Sequence, residues 1–330
     1  MTEALEPLAG RVGLADTSYF RRLSRAGRVA VNDRPADATT PVGEGDLVTL
    51  AGQRYRAAEA GIRRRLNLVA EPPAPVAAKK GAVRVHCGFH KCLTMYTRGI
   101  YGAATQLGLR RPRGFQHFYH RLDAFYAGCE DFRVTSVSGH VVDVDRFEDI
   151  RVVRLVRDPR DLMVSGYFYH RRGAEGWCLL EDPVDADWAV VNGKVPGALP
   201  AGTTLMAYLN GASTGDGLAA EFEFRRNHLD AMRDWPQDDH RIRTWRYEDI
   251  MGNEGETYAG ILAFMGLSPL ARRIGASHAE RHSMARRRGK NAHIRNPASG
   301  QWRDLMPAAL VDRIAGEYGD VLERYGYPRR

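Results

Sequence analysis

From residue 83 onwards, short apolar β-rich runs alternate with helical patterns, and this alternation constrains the chain more than any other feature. Strands are predicted at 83–87, 133–137, 151–156 and 241–245, and helices at 94–107, 159–170, 218–235, 256–265 and 307–325. Strand and helix in turn imply βαβ units, and therefore an α/β fold with a parallel sheet covered by helices. Such sheets bind ligands at the carboxyl ends of their strands, so functional residues are expected just after each strand. Upstream, residues 70–82 (AEPPAPVAAKKGA) are rich in Pro and Ala, lack apolar periodicity and read as a semi-rigid linker. The expected division is a small α/β domain over 1–69, a linker over 70–82 and a large domain over 83–330.

Composition narrows the class. Apolar residues make up 44% of the chain and charged residues 27%, which excludes a wholly disordered or fibrous protein. No apolar run approaches the ~20 residues that span a bilayer. The opening MTEALEPLAG has no apolar h-region, so a secretory signal is not expected and a cytoplasmic location is. The four cysteines (Cys87, Cys92, Cys129 and Cys178) lack CxxC spacing and read as reduced thiols.

The net charge of +8 is localised. Residues 271–303 hold nine Lys and Arg against one acid, Glu280, and so carry the whole excess. One basic segment on an otherwise neutral chain suggests an anionic ligand; a solvated basic loop is the plainer alternative.

In the small domain, residues 17–26 can form a short helix. Arg28-Val29-Ala30-Val31-Asn32 alternates as a strand, Asn32-Asp33-Arg34-Pro35 reads as a turn, and Gly45-Asp46 precedes a strand at 47–50. The pattern FRRLSRAGRVAVNDRP…VGEGDLVTL resembles the helix-turn-strand RNA-binding module first described in a small-subunit ribosomal protein. The resemblance implies RNA contact through Arg21, Arg22, Arg25 and Arg28. The alternative is an appendage that packs on the large domain or mediates homodimer contacts.

Two motifs in the large domain carry chemistry. In Val83-Arg84-Val85-His86-Cys87-Gly88-Phe89-His90-Lys91-Cys92-Leu93-Thr94-Met95-Tyr96, a strand ends at Gly88, a turn presents Lys91, and a helix begins near Thr94. Backbone N–H groups and a helix N-terminus then converge where an anion is stabilised. Lysine is scarce in this chain (Lys79, Lys80, Lys91, Lys194 and Lys290), so one kept at such a turn is informative. The GxxxxGK[ST] loop of nucleotide triphosphatases is not present. No metal is expected, because no carboxylate completes a ligand set with His86 and His90. In Arg151–Val156 followed by Arg157-Asp158-Pro159-Arg160-Asp161, a strand delivers Arg157 to its carboxyl end. Asp158 can cap the next helix, and Ser165 lies eight residues after Arg157. Arg157 and Ser165 can share one phosphate, or Arg157 can simply pair with an aspartate.

These blocks resemble the nucleotide-dependent sulfotransferases, whose loops read G-x-P-K-[SC]-G-T-T-W and R-D-P-R-D…S. Gly88, Lys91, Cys92 and Thr94 match the first loop, with Leu93 in place of its glycine, Met95 in place of Thr or Ser, and Tyr96 in place of its tryptophan. His293–Arg303 resembles the late R-K-G-x-x-G-x-W segment through Arg295, Gly300 and Trp302, with Asn296 and Pro297 as replacements. Tyr247-Glu248-Asp249 resembles the Y-E-D at a strand end.

The resemblance implies a P-loop-like α/β fold and the co-substrate 3′-phosphoadenosine 5′-phosphosulfate (PAPS). Lys91, Cys92, Leu93, Thr94 and Met95 would surround the 5′-phosphosulfate. Arg157, Ser165 and Arg295, with neighbouring Asn296, would hold the 3′-phosphate. Tyr96 would stack on the adenine and Tyr247 would lie near it. Lys91 would stabilise the leaving oxygen, and His140, just after the strand at 133–137, would take the acceptor's proton. His90 and His120 compete for that role. The acceptor would be a hydroxyl of a small molecule, lipid or saccharide. Residues 171–220 read as a lid or specificity loop, and Phe115, Phe118, Tyr119 and Phe125 as pocket lining or core. A nucleotide kinase and an RNA-binding protein are the alternative functions.

Overall fold

The computed structural model describes residues 2–9, 20, 24, 29–50, 53–60, 65–70, 79–106, 113–287 and 296–330. The expected RNA-contacting residues Arg21, Arg22, Arg25 and Arg28, and the expected phosphate ligand Arg295, lie outside them.

The small domain opens with β1 (Thr2–Ala4) and the short helix α1 (Leu5–Ala9), followed by β2 (Val29–Val31), β3 (Arg34–Pro35), β4 (Pro41–Gly43), β5 (Leu47–Leu50), β6 (Gln53–Ala60) and β7 (Arg65–Ala70). Five of these strands form an antiparallel sheet in the order β3-β2-β5-β6-β7. The turn between β2 and β3 puts Asn32 and Asp33 at φ of 50° and 61°, the left-handed pair of a tight hairpin. Leu5, Leu8, Phe20, Val29, Val48, Leu50 and Leu66 build a core of its own. The phenol of Tyr55 lies close to the carboxylate of Asp123 in the large domain, and burial together with that carboxylate raises the phenol's pKa.

The large domain is an α/β fold. Its sheet comprises β8 (Lys79–Gly88), β9 (Arg113–His117), β10 (Phe132–Ser138), β11 (Phe147–Val156) and β12 (Ile242–Arg246), in the order β12-β11-β8-β10-β9. Every neighbouring pair is parallel. From Val152 to Val156 every residue of β11 is buried, the run of a strand covered on both faces. The helices that position the site are α2 (Thr94–Thr105), α3 (Leu122–Gly128), α4 (Pro159–His170), α5 (Leu205–Gly211), α6 (Thr214–Phe224), α7 (Arg226–Asp234), α8 (Tyr247–Ile250), α9 (Glu254–Phe264), α10 (Pro269–Arg281), α11 (Met284–Arg287), α12 (Trp302–Leu305) and α13 (Ala308–Arg324).

Several boundaries differ from expectation. Residues 79–82 are not linker but the start of β8, where Lys79 and Ala82 pair with Phe147 and Asp149. The single helix expected over 218–235 is two helices, because Arg225 leaves helical geometry at φ −91°, ψ 7°. Strand β9 and helices α3, α5, α8, α10, α11 and α12 are additions. Segment 171–220 is packed in place: Trp177 and Trp188 are buried, and α5 interrupts it. Phe118 and Phe125 belong to the core, Phe115 packs partly against it, and Tyr119 is exposed. Among the described residues no helix is long and apolar enough to cross a membrane.

Candidate active site at the carboxyl edge of the sheet

Parallel pairing brings the strand ends together. Ser138 aligns with Gly88, and Arg154 with Cys87, so the turns after β8, β10 and β11 leave one edge of the sheet side by side. Gly139 N–H donates to the Gly88 carbonyl at 2.9 Å and extends that alignment past the strands.

The turn after β8 is tight. Cys92 N–H donates to the Phe89 carbonyl at 3.0 Å. Lys91 and Leu93 both adopt the left-handed conformation, with φ of 70° and 58°. For residues with a Cβ this costs about 1–2 kcal/mol each, so the surroundings must hold the turn in place. Leu93 occupies the N-cap of α2 but offers no side-chain acceptor. The first-turn N–H groups of α2 are then available to an external anion. Left-handed residues beside helical ones also form a nest of N–H groups. Leucine thus adopts at this position the backbone conformation that a glycine would adopt at less cost.

Lys91 is half-buried, and its ammonium lies 3.6 Å from the centre of the Tyr169 ring. Burial, then the Arg225 guanidinium, with smaller contributions from Arg172 and Arg157, lower its pKa to about 8 against the opposing pull of Glu175. Arg157 is buried at the end of β11 and lies over the Tyr247 ring, 4.1 Å from its centre. Its Nη1 donates to the Lys91 carbonyl at 3.5 Å and its Nη2 to the Ala298 carbonyl at 3.3 Å. Its Nε is buried with no partner among the described residues. Tyr247 donates to the Pro297 carbonyl at 2.6 Å, which brings residues 296–298 against the same guanidinium.

The Arg-Asp-Pro-Arg-Asp motif is mostly structural. Asp158 caps α4 by accepting from Arg160 N–H at 3.0 Å, with Pro159 in the first turn. It also takes the Arg160 side chain at 2.9 and 2.8 Å, and that guanidinium stacks 3.6 Å from the centre of the Trp302 ring. Asp161 accepts from the N–H groups of Gly300 and Trp302 at 2.6 and 3.2 Å. Ser165 is half-buried on α4, one turn after Asp161 and one before Tyr169.

His140 follows β10 and is half-buried. Its Nε2 lies 2.8 Å from the His120 carbonyl, an acceptor only, so Nε2 carries the hydrogen and Nδ1 the lone pair. Burial lowers its pKa against the opposing effect of that hydrogen bond. The rings of His140, His120 and His228 form a chain with centroid separations of 6.3 and 6.4 Å, and His228 packs on Phe89 at 6.2 Å. His140 is thereby linked to the turn that carries Lys91.

Two expected ligands face elsewhere. Tyr96 is 3% exposed, packs against Tyr258 and donates to the Ala279 carbonyl at 2.6 Å, so its ring has no face for a base. Cys92 is buried with its thiol toward the Leu155 carbonyl. Thr94 is half-buried and Met95 exposed. Asn296 turns its Oδ1 back on the Ala298 N–H at 3.0 Å.

The structure adds residues that the sequence reading missed. Glu175 lies 3.2 Å from His90 Nε2, accepts from Trp177 Nε1 and lies beside the Tyr169 phenol, whose pKa burial and then this carboxylate raise. Burial alone would raise its pKa, but its hydrogen bond with His90 holds it well below the usual carboxylate range. The Glu221–Arg225 pair is buried behind the turn. Spacing four apart hinted at that pair, but nothing local showed that it faces Lys91. Among the described residues no group of His, Cys, Asp and Glu could hold a metal ion.

No protein-family model and no curated protein matches the chain. Among solved structures, the chain is similar to a mouse sulfotransferase, SULT7A1, complexed with PAP, at 13% identity and a TM-score of 0.40 over 75% of this chain and 85% of that one. It is also similar to retinol dehydratase with androsterone and the inactive cofactor PAP, at 14% identity and 0.42 over 76% of this chain and 82% of that one. Retinol dehydratase with retinol and PAP gives 13% and 0.42 over 98% and 96%. Likeness of this degree does not specify what a chain does, so the function rests on the motifs and the geometry.

Proposed function

We propose that the protein is a sulfotransferase that moves the sulfuryl group of PAPS to a hydroxyl of a small molecule, lipid or saccharide. One observation carries the reading: the two motif residues assigned to opposite ends of the donor, Lys91 and Arg157, meet at one sheet edge. A nest of N–H groups lies on one side, and on the other a buried guanidinium nitrogen with no partner among the described residues.

In this reading Lys91 and the first turn of α2 hold the 5′-phosphosulfate. Arg157 and Ser165 hold the 3′-phosphate, with Arg295 and Asn296 as further candidates. Tyr247 lies beside Arg157, near the nucleoside. His140 accepts the acceptor's proton at Nδ1. The acceptor oxygen forms the new O–S bond as the S–O bond to the phosphate breaks, and Lys91 stabilises the departing oxygen. Electrostatic positioning of this kind supplies most of the catalysis in related phosphoryl transfers. The closeness of Tyr55 to Asp123 supports a structural role for the small domain over an independent RNA-binding one.

The test is an acceptor screen with labelled donor. Label should appear on a hydroxyl, and the Lys91→Ala protein should transfer it orders of magnitude more slowly. Phosphate transfer from ATP with Mg²⁺, in the absence of sulfate transfer, would replace this reading with a kinase.

A further inference from the structure

Arg225 is 1% exposed at the junction of α6 and α7. Its Nε lies 3.4 Å from Glu221 Oε2 without hydrogen-bond geometry, and neither Nε nor Nη2 has a hydrogen-bond partner among the described residues. The other oxygen of Glu221 is taken by His170 Nδ1. A buried guanidinium so incompletely satisfied is expensive to keep and calls for a function.

Its surroundings point to one. A Cβ on Gly166 of α4 would lie 2.4 Å from Glu221 Oε2 and 2.5 Å from Arg225 Nη2, so only glycine lets the pair sit against that helix. From this seat Nη1 donates to the His90 carbonyl at 3.4 Å. Arg157 Nη1 takes the next carbonyl, that of Lys91, at 3.5 Å. Two buried arginines therefore hold two consecutive carbonyls of the strained turn. A trans peptide points its C=O and N–H in opposite directions, so drawing in the His90 carbonyl turns the Lys91 N–H away from Arg225.

We propose that Arg225 is a positioning residue, a clamp that holds the His90–Lys91 peptide so that the Lys91 N–H and ammonium are presented to the anionic end of the donor. The proposal rests on the donor-anchoring role of Lys91, although the clamp itself can be tested without any donor. The groups facing the Lys91 ammonium are the Arg225, Arg172 and Arg157 guanidiniums, the Glu175 carboxylate and the Tyr169 ring.

The test uses the full chain with Arg225→Lys and Arg225→Met. Lysine keeps the charge but loses the planar fork, and folds even if the methionine protein does not. Carbon-13 NMR of the lysine side chains can follow Lys91 among only five lysines. Arg225→Lys should leave Lys91 titrating near 8. It should nevertheless weaken binding of 3′-phosphoadenosine 5′-phosphate (PAP) and lower turnover by about tenfold or more, as misplaced positioning groups do. Arg225→Met, if folded, should also move the Lys91 titration upward. Folded variants with wild-type PAP affinity, turnover and Lys91 titration would overturn the clamp. If the wild-type chain binds no PAP, the sulfotransferase reading fails. The clamp then stands or falls on whether inorganic sulfate, added to both proteins, perturbs the Lys91 resonance less in Arg225→Lys.

Discussion

The guanidinium of Arg157 lies 3.5 Å from the carbonyl oxygen of Lys91, although 65 residues separate them in the chain. Two motifs that share nothing in sequence are thus parts of one turn and its support. The contact joins the end of one parallel strand to the loop after its neighbour, the place where such sheets bind ligands.

The lowered pKa of Lys91 gives donor binding a pH dependence. Below about 8 the ammonium is charged, and above it the charge is lost. PAP affinity should therefore decline between pH 7 and 9, with an apparent pKa near 8 rather than the ordinary lysine value of about 10.4. Calorimetry across that range reads the midpoint. Affinity constant to pH 9 would remove Lys91 from the site.

His140 has the opposite sign. Burial keeps its imidazole neutral to lower pH than usual, so the base is present at neutrality and turnover should fall only as pH drops below about 6.5. His140→Ala should lower kcat by about 10²–10⁴-fold, the range of general-base catalysis, with PAP affinity retained. Single-turnover kinetics separates the two quantities. A near-normal kcat would return the role to His90 or His120.

The left-handed Leu93 yields a comparison of two variants. Leu93→Gly and Leu93→Ala remove the same apolar contact, but only glycine relieves the backbone. Leu93→Gly should be the more stable by about 1 kcal/mol, less the extra entropy that glycine loses on folding. Urea midpoints at equal slope measure the difference. Alanine equal to or better than glycine would mean that the turn does not hold this conformation.

Asp158 both caps α4 and neutralises the fully buried Arg160. Asp158→Ala leaves that cation without its partner and should cost about 3–5 kcal/mol, read from urea denaturation. A loss below about 1 kcal/mol, the usual worth of an exposed pair, would show that Arg160 reaches water.

The sequence disclosed what local chemistry determines. The apolar runs gave four of the five sheet strands, and Pro159 with Asp158 set the start of α4. The turn from Gly88 to Thr94 was legible because it is contiguous. The edge strand β9 was not, since Arg113-Gly-Phe-Gln-His lacks an apolar run and pairs on one side only. The burial of Tyr96 was not legible, because a motif position does not reveal which face of α2 the core covers. Glu175 and Arg225 were missed because their relation to Lys91 exists only after segment 171–220 and the α6–α7 junction fold back onto the β8 turn.

Isothermal calorimetry of the wild-type chain with PAP and with ATP tests the central claim most directly. PAP should bind, ATP should bind at least about tenfold more weakly, and either Lys91→Ala or Arg157→Ala should weaken PAP by a comparable factor, the scale of losing one charge-assisted contact. No measurable PAP binding, or tighter binding of ATP, would contradict the assignment.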